Sequence, residues 1–388
     1  MQSLNIYMSY IDISHLLLNL LYINIIYIYL THILKQLNNR GKGLSSEIED
    51  KVEEVNNLMK GKALALLSGG LDSTLAVKMV RDMGIEVEAV HFTTPFCQCD
   101  KCSVNTIAER LDIKVHHIFL GEEFLNVVAN PPHGYGSHMN VCIDCRILML
   151  IKAKKLAEEI GAGFFVTGEV LGQRPMSQHS SAMRLIEREA GVEGFVLRPL
   201  SGQLMEKTQM EAEGVVDRNK LLDISGRRRL PQIELAEKLG VYDYPCPSGG
   251  CLLTDPEFAV RLQDYLDNEG IPTIEAILLL KIGRHFRFGS TRVIVGRNEG
   301  ENNILEGFVR HGVTRLEVEA VSGPVTLVFG GDEATVNEAA VLTVRYSDAP
   351  SGELVWVGAV SNDCETRIQA EAKGELEAFM IRALPKGK

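Results

Sequence analysis

The sequence predicts an α/β protein in which a parallel sheet covered by helices is followed by a second, smaller α+β domain. Three observations predict this. Short apolar runs alternate with helical patterns between residues 61 and 170, a glycine turn joins the first run to the first helix, and short β-rich runs take over after Asp255. Alternating strands and helices need right-handed crossovers, which makes the strands parallel and covers both faces of the sheet. Ligands in such folds sit at the carboxyl ends of the strands.

Taken in order, Ser45 to Lys60 reads as a charged amphipathic helix with Ser46 and Glu47 as entry signals. Ala63 to Leu67 is an apolar strand, and Leu75, Ala76, Met79, Val80 and Met83 line one face of the next helix. Val87 to Phe92 is a second strand, Ile107 to Leu111 lies in a helix, and Val115 to Leu120 is a third strand. A long helix over Cys145 to Ile160 leads to a fourth strand, Phe164 to Thr167. Residues 256 to 280 read as two helices. Strands are expected at Thr291 to Val295, Arg315 to Val321, Pro324 to Phe329 and Glu353 to Val360. The expected domains are residues 46–256 and 257–388.

Residues 1–45 stand apart as an apolar extension. Residues 1–39 contain no Ala, Val, Gly, Pro, Glu or Arg, whereas the remainder is rich in all six. The run His15 to Leu34 is about long enough to cross a bilayer, and Lys35, Arg40 and Lys42 behind it would hold the bulk in the cytoplasm. Asn19 and Asn24 oppose insertion, and no small-residue cleavage site follows. Three readings stay open: translated non-coding sequence ahead of the true start, a membrane anchor, and an added docking helix. Without an anchor, no membrane partner is expected.

A formal net charge of −11 excludes a protein coated in basic surface, so any RNA contact must be local. Eight cysteines in 388 residues are too sparse for a disulfide-built secreted scaffold. Seven of them fall into three tight groups, which reads as metal or redox chemistry in a reducing, cytoplasmic setting.

Leu67 ends a strand and Ser68-Gly69-Gly70-Leu71-Asp72-Ser73-Thr74 opens a helix. Glycines at such a turn let the backbone approach a phosphate, and the helix N-terminus supplies N–H groups and a positive dipole end. Ser68, Ser73 and Thr74 add hydroxyls. Lys78 comes too late for a Walker A lysine, and Ser73 stands where a dinucleotide fingerprint needs its third glycine. The loop resembles the Ser-Gly-Gly-x-Asp-Ser hallmark of PP-loop ATP pyrophosphatases, a Rossmann-like family akin to the adenine nucleotide alpha hydrolases. That resemblance implies an ATP-binding loop of Ser68, Gly69, Gly70, Asp72, Ser73 and Thr74, with Mg2+ and a catalytic role for Asp72. It also implies adenine held near His91 and Phe92, and Thr167 and Gly168 at the nucleotide.

Cys142-Ile-Asp-Cys145 sits just before the long helix, whose N-terminus would stabilise a thiolate, and Cys246-Pro-Ser-Gly-Gly-Cys251 follows about a hundred residues later. On spacing alone, four cysteines in two pairs admit a structural Zn2+ site. Cys145 and Cys251 match the positions of the two catalytic cysteines of tRNA 2-thiouridine synthetases. In cluster-dependent relatives, the same resemblance implies a 4Fe-4S cluster on Cys142, Cys145 and Cys251, with Cys246 as the rival third ligand. Cys97-Gln-Cys99-Asp-Lys-Cys102 admits a second metal, a sulfur relay or an ordinary loop. Thr167 to Gln178 and Leu197 to Leu200 resemble tRNA 4-thiouridine synthetases. Arg198 admits either a phosphate contact or a sheet-edge ion pair, and Arg227 to Arg229 either RNA backbone or a solvated face.

Residues 281–298 carry five Lys or Arg and no acid, with Phe286 and Phe288 interleaved. Basic groups bind phosphates and aromatics stack on unpaired bases, so Arg284, Arg287, Arg292 and Arg297 are the candidate RNA contacts. The alternative is pairing with the acidic flank Glu299 to Glu306. Val295 to Asn298, Asn302-Asn303 and Ala340 to Ser347 resemble the RNA-binding module of ribosome-quality-control proteins, without its Trp-rich strand region.

Together these resemblances imply an ATP-dependent tRNA sulfurtransferase that adenylates a uridine carbonyl and exchanges its oxygen for sulfur. A cysteine desulfurase or sulfide would be the donor. The rivals are an ammonia-using PP-loop amidotransferase with structural zinc, and an RNA-binding adaptor without turnover.

Overall fold

The computed structural model describes residues 61–97, 104–242, 250–361, 364–374 and 376–383. The expected helix at 45–60, the apolar run 15–34, and Cys99, Cys102 and Cys246 lie outside the described residues. No helix among the described residues is long and apolar enough to cross a membrane. The chain divides into two compact units. The first holds the described residues of Met1–Thr93, Cys99–Leu120 and Cys142–Gly249, and the second those of Thr94–Gln98, Gly121–Val141 and Gly250–Lys388.

In the first unit, β1 (Lys62–Leu66), α1 (Leu71–Asp82), β2 (Glu86–Thr93), α2 (Val104–Arg110) and β3 (Val115–Phe119) follow in succession. The strands form a parallel sheet in the order β3-β2-β1-β4-β5, with β4 (Phe164–Thr167) and β5 (Val196–Leu197) on the other side of β1. The pleat of β1 sends Ala63 and Ala65 to one face, under Ala76, Val77 and Val80 of α1. Leu64 and Leu66 point to the opposite face, under Leu150, Ala153 and Leu156 of the helix Cys142–Ile160. Each fully buried leucine contributes about 2 kcal/mol through its apolar area. Successive strands run outward from β1 in one direction and then in the other. The β1–β4 edge is therefore the switch point, where Leu66 registers with Thr167 and the carboxyl ends leave a crevice.

The second unit draws in two segments from within the expected catalytic stretch, and the packing of Phe96 explains the first. Its ring lies 5.8 Å from that of Phe124 and 5.9 Å from that of Phe258, and all three side chains are buried. Phe124 belongs to α3 (Glu122–Ala129), which precedes α4 (Cys142–Ile160) and α5 (Ser180–Ala190) in the chain. After α6 (Leu230–Leu239), the second unit adds α7 (Pro256–Glu269), α8 (Ile274–Leu280), β6 (Arg284–Phe288), β7 (Thr291–Val295), α9 (Glu299–Glu306), β8 (Val313–Val318), β9 (Thr326–Phe329), α10 (Glu333–Arg345), β10 (Val355–Ser361) and β11 (Cys364–Ala370). Its strands form an antiparallel sheet in the order β11-β10-β8-β9-β7-β6. Val293 and Val295 of β7 face Ala339 and Ala340 of α10, while Ile294 faces Leu279 and Leu305.

One expectation is corrected. The long helix begins at Cys142, so Cys142 and Cys145 occupy its first turn instead of preceding it. The basic stretch after Gly283 is a strand, because Phe286 and Phe288 alternate into the core.

Candidate active site

The crevice at the β1–β4 edge is lined by Ser68, Gly70, Asp72, Ser73, Arg146, Thr167, Gly168, Glu169, Gln173, Arg174, Gln178 and Arg229. Gly69 takes φ +78°, a left-handed conformation that glycine adopts without a Cβ penalty, and this turns the chain out of β1. Gly70 then caps α1 and its carbonyl accepts from the Ser73 hydroxyl at 2.9 Å and the Thr74 hydroxyl at 3.0 Å. The Ser68 and Ser73 hydroxyls lie 3.1 Å apart. Gly168 must be a glycine, since a Cβ there would overlap the backbone of Asp72 and Ser73. Loop and strand end therefore close on each other backbone to backbone, and the N-terminus of α1 faces the crevice between them.

Three arginines line this crevice against two acids, in a chain whose net charge is −11. Glu169 is buried. Burial alone would push its carboxyl up, but the charges of Arg198 and Arg146, with hydrogen bonds from Arg198 and Thr167, outweigh that and hold it below the usual carboxylate range. Arg198 Nε donates to Glu169 at 3.0 Å and its NH1 to Glu187, so a guanidinium with 3% side-chain exposure joins two buried carboxylates. Arg146, the residue after Cys145, reaches Glu169 at 3.5 Å. Gln173 Nε2 donates to Asp72 Oδ2 at 3.1 Å, whereas Asp72 Oδ1 and Gln178 Oε1 are buried without a partner among the described residues. Buried acceptors without donors are rare in native proteins. These two, beside a helix N-terminus and a cationic wall, suit a nucleotide with its metal ion.

Of the residues expected at the nucleotide, Ser68, Gly70, Asp72, Ser73, Thr167 and Gly168 line the crevice, while Gly69 shapes its loop. Thr74 does not line it: its side chain is buried and its hydroxyl is spent on the Gly70 carbonyl. Phe92 packs half-buried with the Leu64–Leu150 cluster. Its neighbour His91 is bonded to the Leu67 carbonyl at 2.8 Å, and burial pushes its imidazole below the ordinary histidine value. Arg198 resolves as an ion pair and not as a phosphate contact.

Cys142 and Cys145 belong to the first unit, and Cys97 and Cys251 to the second. Among the described residues, no three His, Cys, Asp or Glu side chains converge as a metal-binding group. The described residues thus supply no complete ligand set for an iron–sulfur cluster or for zinc.

Of the four arginines expected on RNA, Arg287 and Arg292 are committed within the second unit. Arg292, with 4% side-chain exposure, donates to Glu269 at 2.9 Å and lies over the rings of Phe329 and Tyr265. Arg287 binds Asp264 at 2.5 Å and Glu269 at 3.0 Å. Burial makes both structural cations of α7 and the sheet, which corrects their assignment as RNA contacts. Arg297 pairs with Glu301 at 2.5 Å, realising the acidic-flank alternative for that residue. Arg284 stays half-buried over the Tyr346 ring at 4.4 Å.

Residues 58–214 match the family of the thiamine biosynthesis protein (ThiI), and residues 283–380 match the NFACT protein RNA binding domain. The chain carries a ThiI-family domain followed by an NFACT-type RNA-binding domain. Similar proteins include a probable tRNA sulfurtransferase of Ureaplasma urealyticum, 35% identical over 147 residues that make up 37% of each chain. Another, from Thermoanaerobacter sp., is 33% identical over 159 residues and 39% of each chain. The chain thus spans about two fifths of the length of these curated relatives. A crystal structure of a 4-thiouridine synthetase–RNA complex with bound ATP aligns at a TM-score of 0.31 and 24% identity, over 46% of this chain and 51% of that one.

In the ThiI-family domain, the loop is legible in the sequence as a nucleotide site, whereas most of its wall is not. Arg146, Glu169, Gln173, Arg174, Gln178 and Arg229 come from three separate parts of the chain. The sequence signals for them are the resemblance of Thr167 to Gln178 to tRNA 4-thiouridine synthetases and the basic run Arg227 to Arg229, while Arg146 carries none.

Proposed function

We propose that this chain is an ATP-dependent tRNA sulfurtransferase that replaces a uridine carbonyl oxygen with sulfur. The observation that carries the proposal is the phosphate-suited crevice of a chain that is 35% identical, over 147 residues, to a probable tRNA sulfurtransferase.

The loop Ser68 to Ser73 and the N-terminus of α1 would hold the ATP phosphates, and Arg146, Arg174 and Arg229 would balance their charge. Asp72, with its unpartnered Oδ1, is the residue suited to Mg2+, which when bound neutralises phosphate charge and orients the leaving group. The uridine carbonyl oxygen attacks the α-phosphorus and pyrophosphate departs, leaving the base adenylated. A sulfur nucleophile then attacks the ring carbon, and AMP leaves with the original oxygen. Free sulfide would attack the ring carbon directly. With a cysteine desulfurase as donor, Cys145 or Cys251 would take the sulfane sulfur from the desulfurase persulfide by exchange, and its own persulfide would attack the ring carbon. A second thiol would then cleave the S–S bond, freeing the thiolated base and leaving a disulfide that an external dithiol reduces. The NFACT-type domain would hold the tRNA, with Arg284 and the partly exposed Arg297 available to phosphates. Free thiols at Cys97 and Cys364 suit the reducing cytoplasm.

The test incubates the full chain with ATP, unmodified tRNA and sulfide, and measures AMP, pyrophosphate and thiolated nucleosides. Joint, tRNA-dependent appearance of all three is expected. AMP formation that ends in an aminated base with ammonia would move the chain to the amidotransferase reading, and RNA binding without AMP would make it an adaptor. Iron, sulfide and zinc analysis of anaerobically purified protein tests whether a cluster takes part.

A further inference from the structure

The motif Cys97-x-Cys99-x-x-Cys102 has no role in the reaction above, yet the fold gives its first cysteine a specific neighbour. Cys97 and Cys251, 154 positions apart in the sequence, form an isolated antiparallel β-bridge within the second unit. The Leu252 N–H donates to the Phe96 carbonyl at 3.0 Å. That bond joins the residue after Cys251 to the residue before Cys97, so the two cysteines form a non-hydrogen-bonded pair. In such pairs the Cα atoms lie about 4.5 Å apart and both side chains leave the same face. This falls inside the window of about 4.4–6.8 Å that a disulfide requires. The bridge is anchored on its apolar side, since Phe96 is wholly buried against Phe124 and Phe258, and Leu253 is buried behind Cys251. Cys97 itself is exposed, and the Thr94 N–H donates to its sulfur at 3.3 Å.

We propose that Cys97 and Cys251 form a thiol–disulfide exchange site that reacts with low-molecular-weight disulfides such as oxidised glutathione. The exposed Cys97 thiolate attacks one sulfur of the small disulfide, which breaks the S–S bond and releases one thiolate. Cys251 then attacks Cys97 Sγ, releases the second thiolate and closes the Cys97–Cys251 disulfide. Two protein thiols are oxidised and one small disulfide is reduced to two thiols, and an excess of dithiol reverses the exchange. Closure withdraws the Cys251 sulfur from any part in sulfur delivery.

The experiment treats the reduced full chain with oxidised glutathione, counts the remaining thiols and maps peptides without reduction. Loss of one thiol pair per chain is expected, with the peptide containing Cys97 linked to that containing Cys251 and full reversal by dithiothreitol. The Cys97→Ser and Cys251→Ser variants should each stop at a stable glutathione adduct on the remaining cysteine, whereas Cys364→Ser should close the bridge as the native chain does. A principal link from either cysteine to Cys99, Cys102 or Cys246, or glutathione remaining on both without closure, overturns the proposal. This readout requires no thiolation activity, so it stands or falls separately from the proposed reaction.

Discussion

Replacing Arg198 with Met probes the charge chain behind the crevice. Glu169 and Glu187 would then be buried carboxylates without their shared cation, and removing one partner of a buried ion pair costs about 3–5 kcal/mol. Arg146 still reaches Glu169 at 3.5 Å, which places the expected loss at pH 7.5 near the lower figure, about 3 kcal/mol. The pH dependence is the sharper signature. In the native chain the folded Glu169 titrates below its ordinary value of 4.5, so its stabilisation is present above that value and is lost as pH falls through the lowered one. In the variant, burial is no longer outweighed and the carboxyl titrates above 4.5, so the folded state takes up a proton and recovers stability as pH falls. Each carboxylate neutralised this way recovers up to about 1.4 kcal/mol per pH unit. Urea unfolding followed by far-ultraviolet circular dichroism at pH 7.5 and 5 should show the gap between native and variant narrowing, with m unchanged. Arg198→Lys, which keeps a charge but cannot bind both acids through a fork, should fall between the two. A gap below about 1 kcal/mol at pH 7.5, or one that is constant with pH, would refute the reasoning.

Asp72→Ala should lower tRNA-dependent AMP formation by about 100-fold or more while leaving the melting temperature within a few degrees, measured by AMP assay and calorimetry. Gly168→Ala should weaken ATP binding at least about tenfold in a nucleotide titration, because overpacking of about 2 kcal/mol against the Asp72–Ser73 backbone opens the loop. Arg292→Ala should cost about 3 kcal/mol of stability with little change in tRNA affinity, whereas Arg284→Ala should weaken tRNA binding and reduce its salt slope by about one. His285 is pushed down to about 3, chiefly by burial, so its contribution is complete above pH 6.5 and is lost as pH falls below it. Acid titration of His285→Gln should show a shallower decline of stability between pH 6.5 and about 3 than the native chain.

The loop Ser68 to Thr74 could be read before any coordinates, because a phosphate site at a strand-to-helix turn is built from consecutive residues and the backbone between them. The same holds for the alternation of β1, α1, β2 and β3, and for the helix pair at 256–280, whose periodicities are local. The basic stretch 281–298 misled for a related reason. A run of arginines reads as surface until the partners are known, and those of Arg287 and Arg292 lie on α7, 18 to 23 positions away.

What the sequence alone determined was therefore the class of fold, the anion-binding turn and the chemical identity of the thiols. Periodicity, glycine placement and side-chain type are properties of short segments, and they survive without knowledge of neighbours. Tertiary structure decided which charges are buried, which carboxylate is left with an unpartnered oxygen, and which cysteine stands opposite Cys97. Those outcomes depend on desolvation and pairing across sequence separations of 11 to 154 positions, and no local pattern records which distant side chain will arrive.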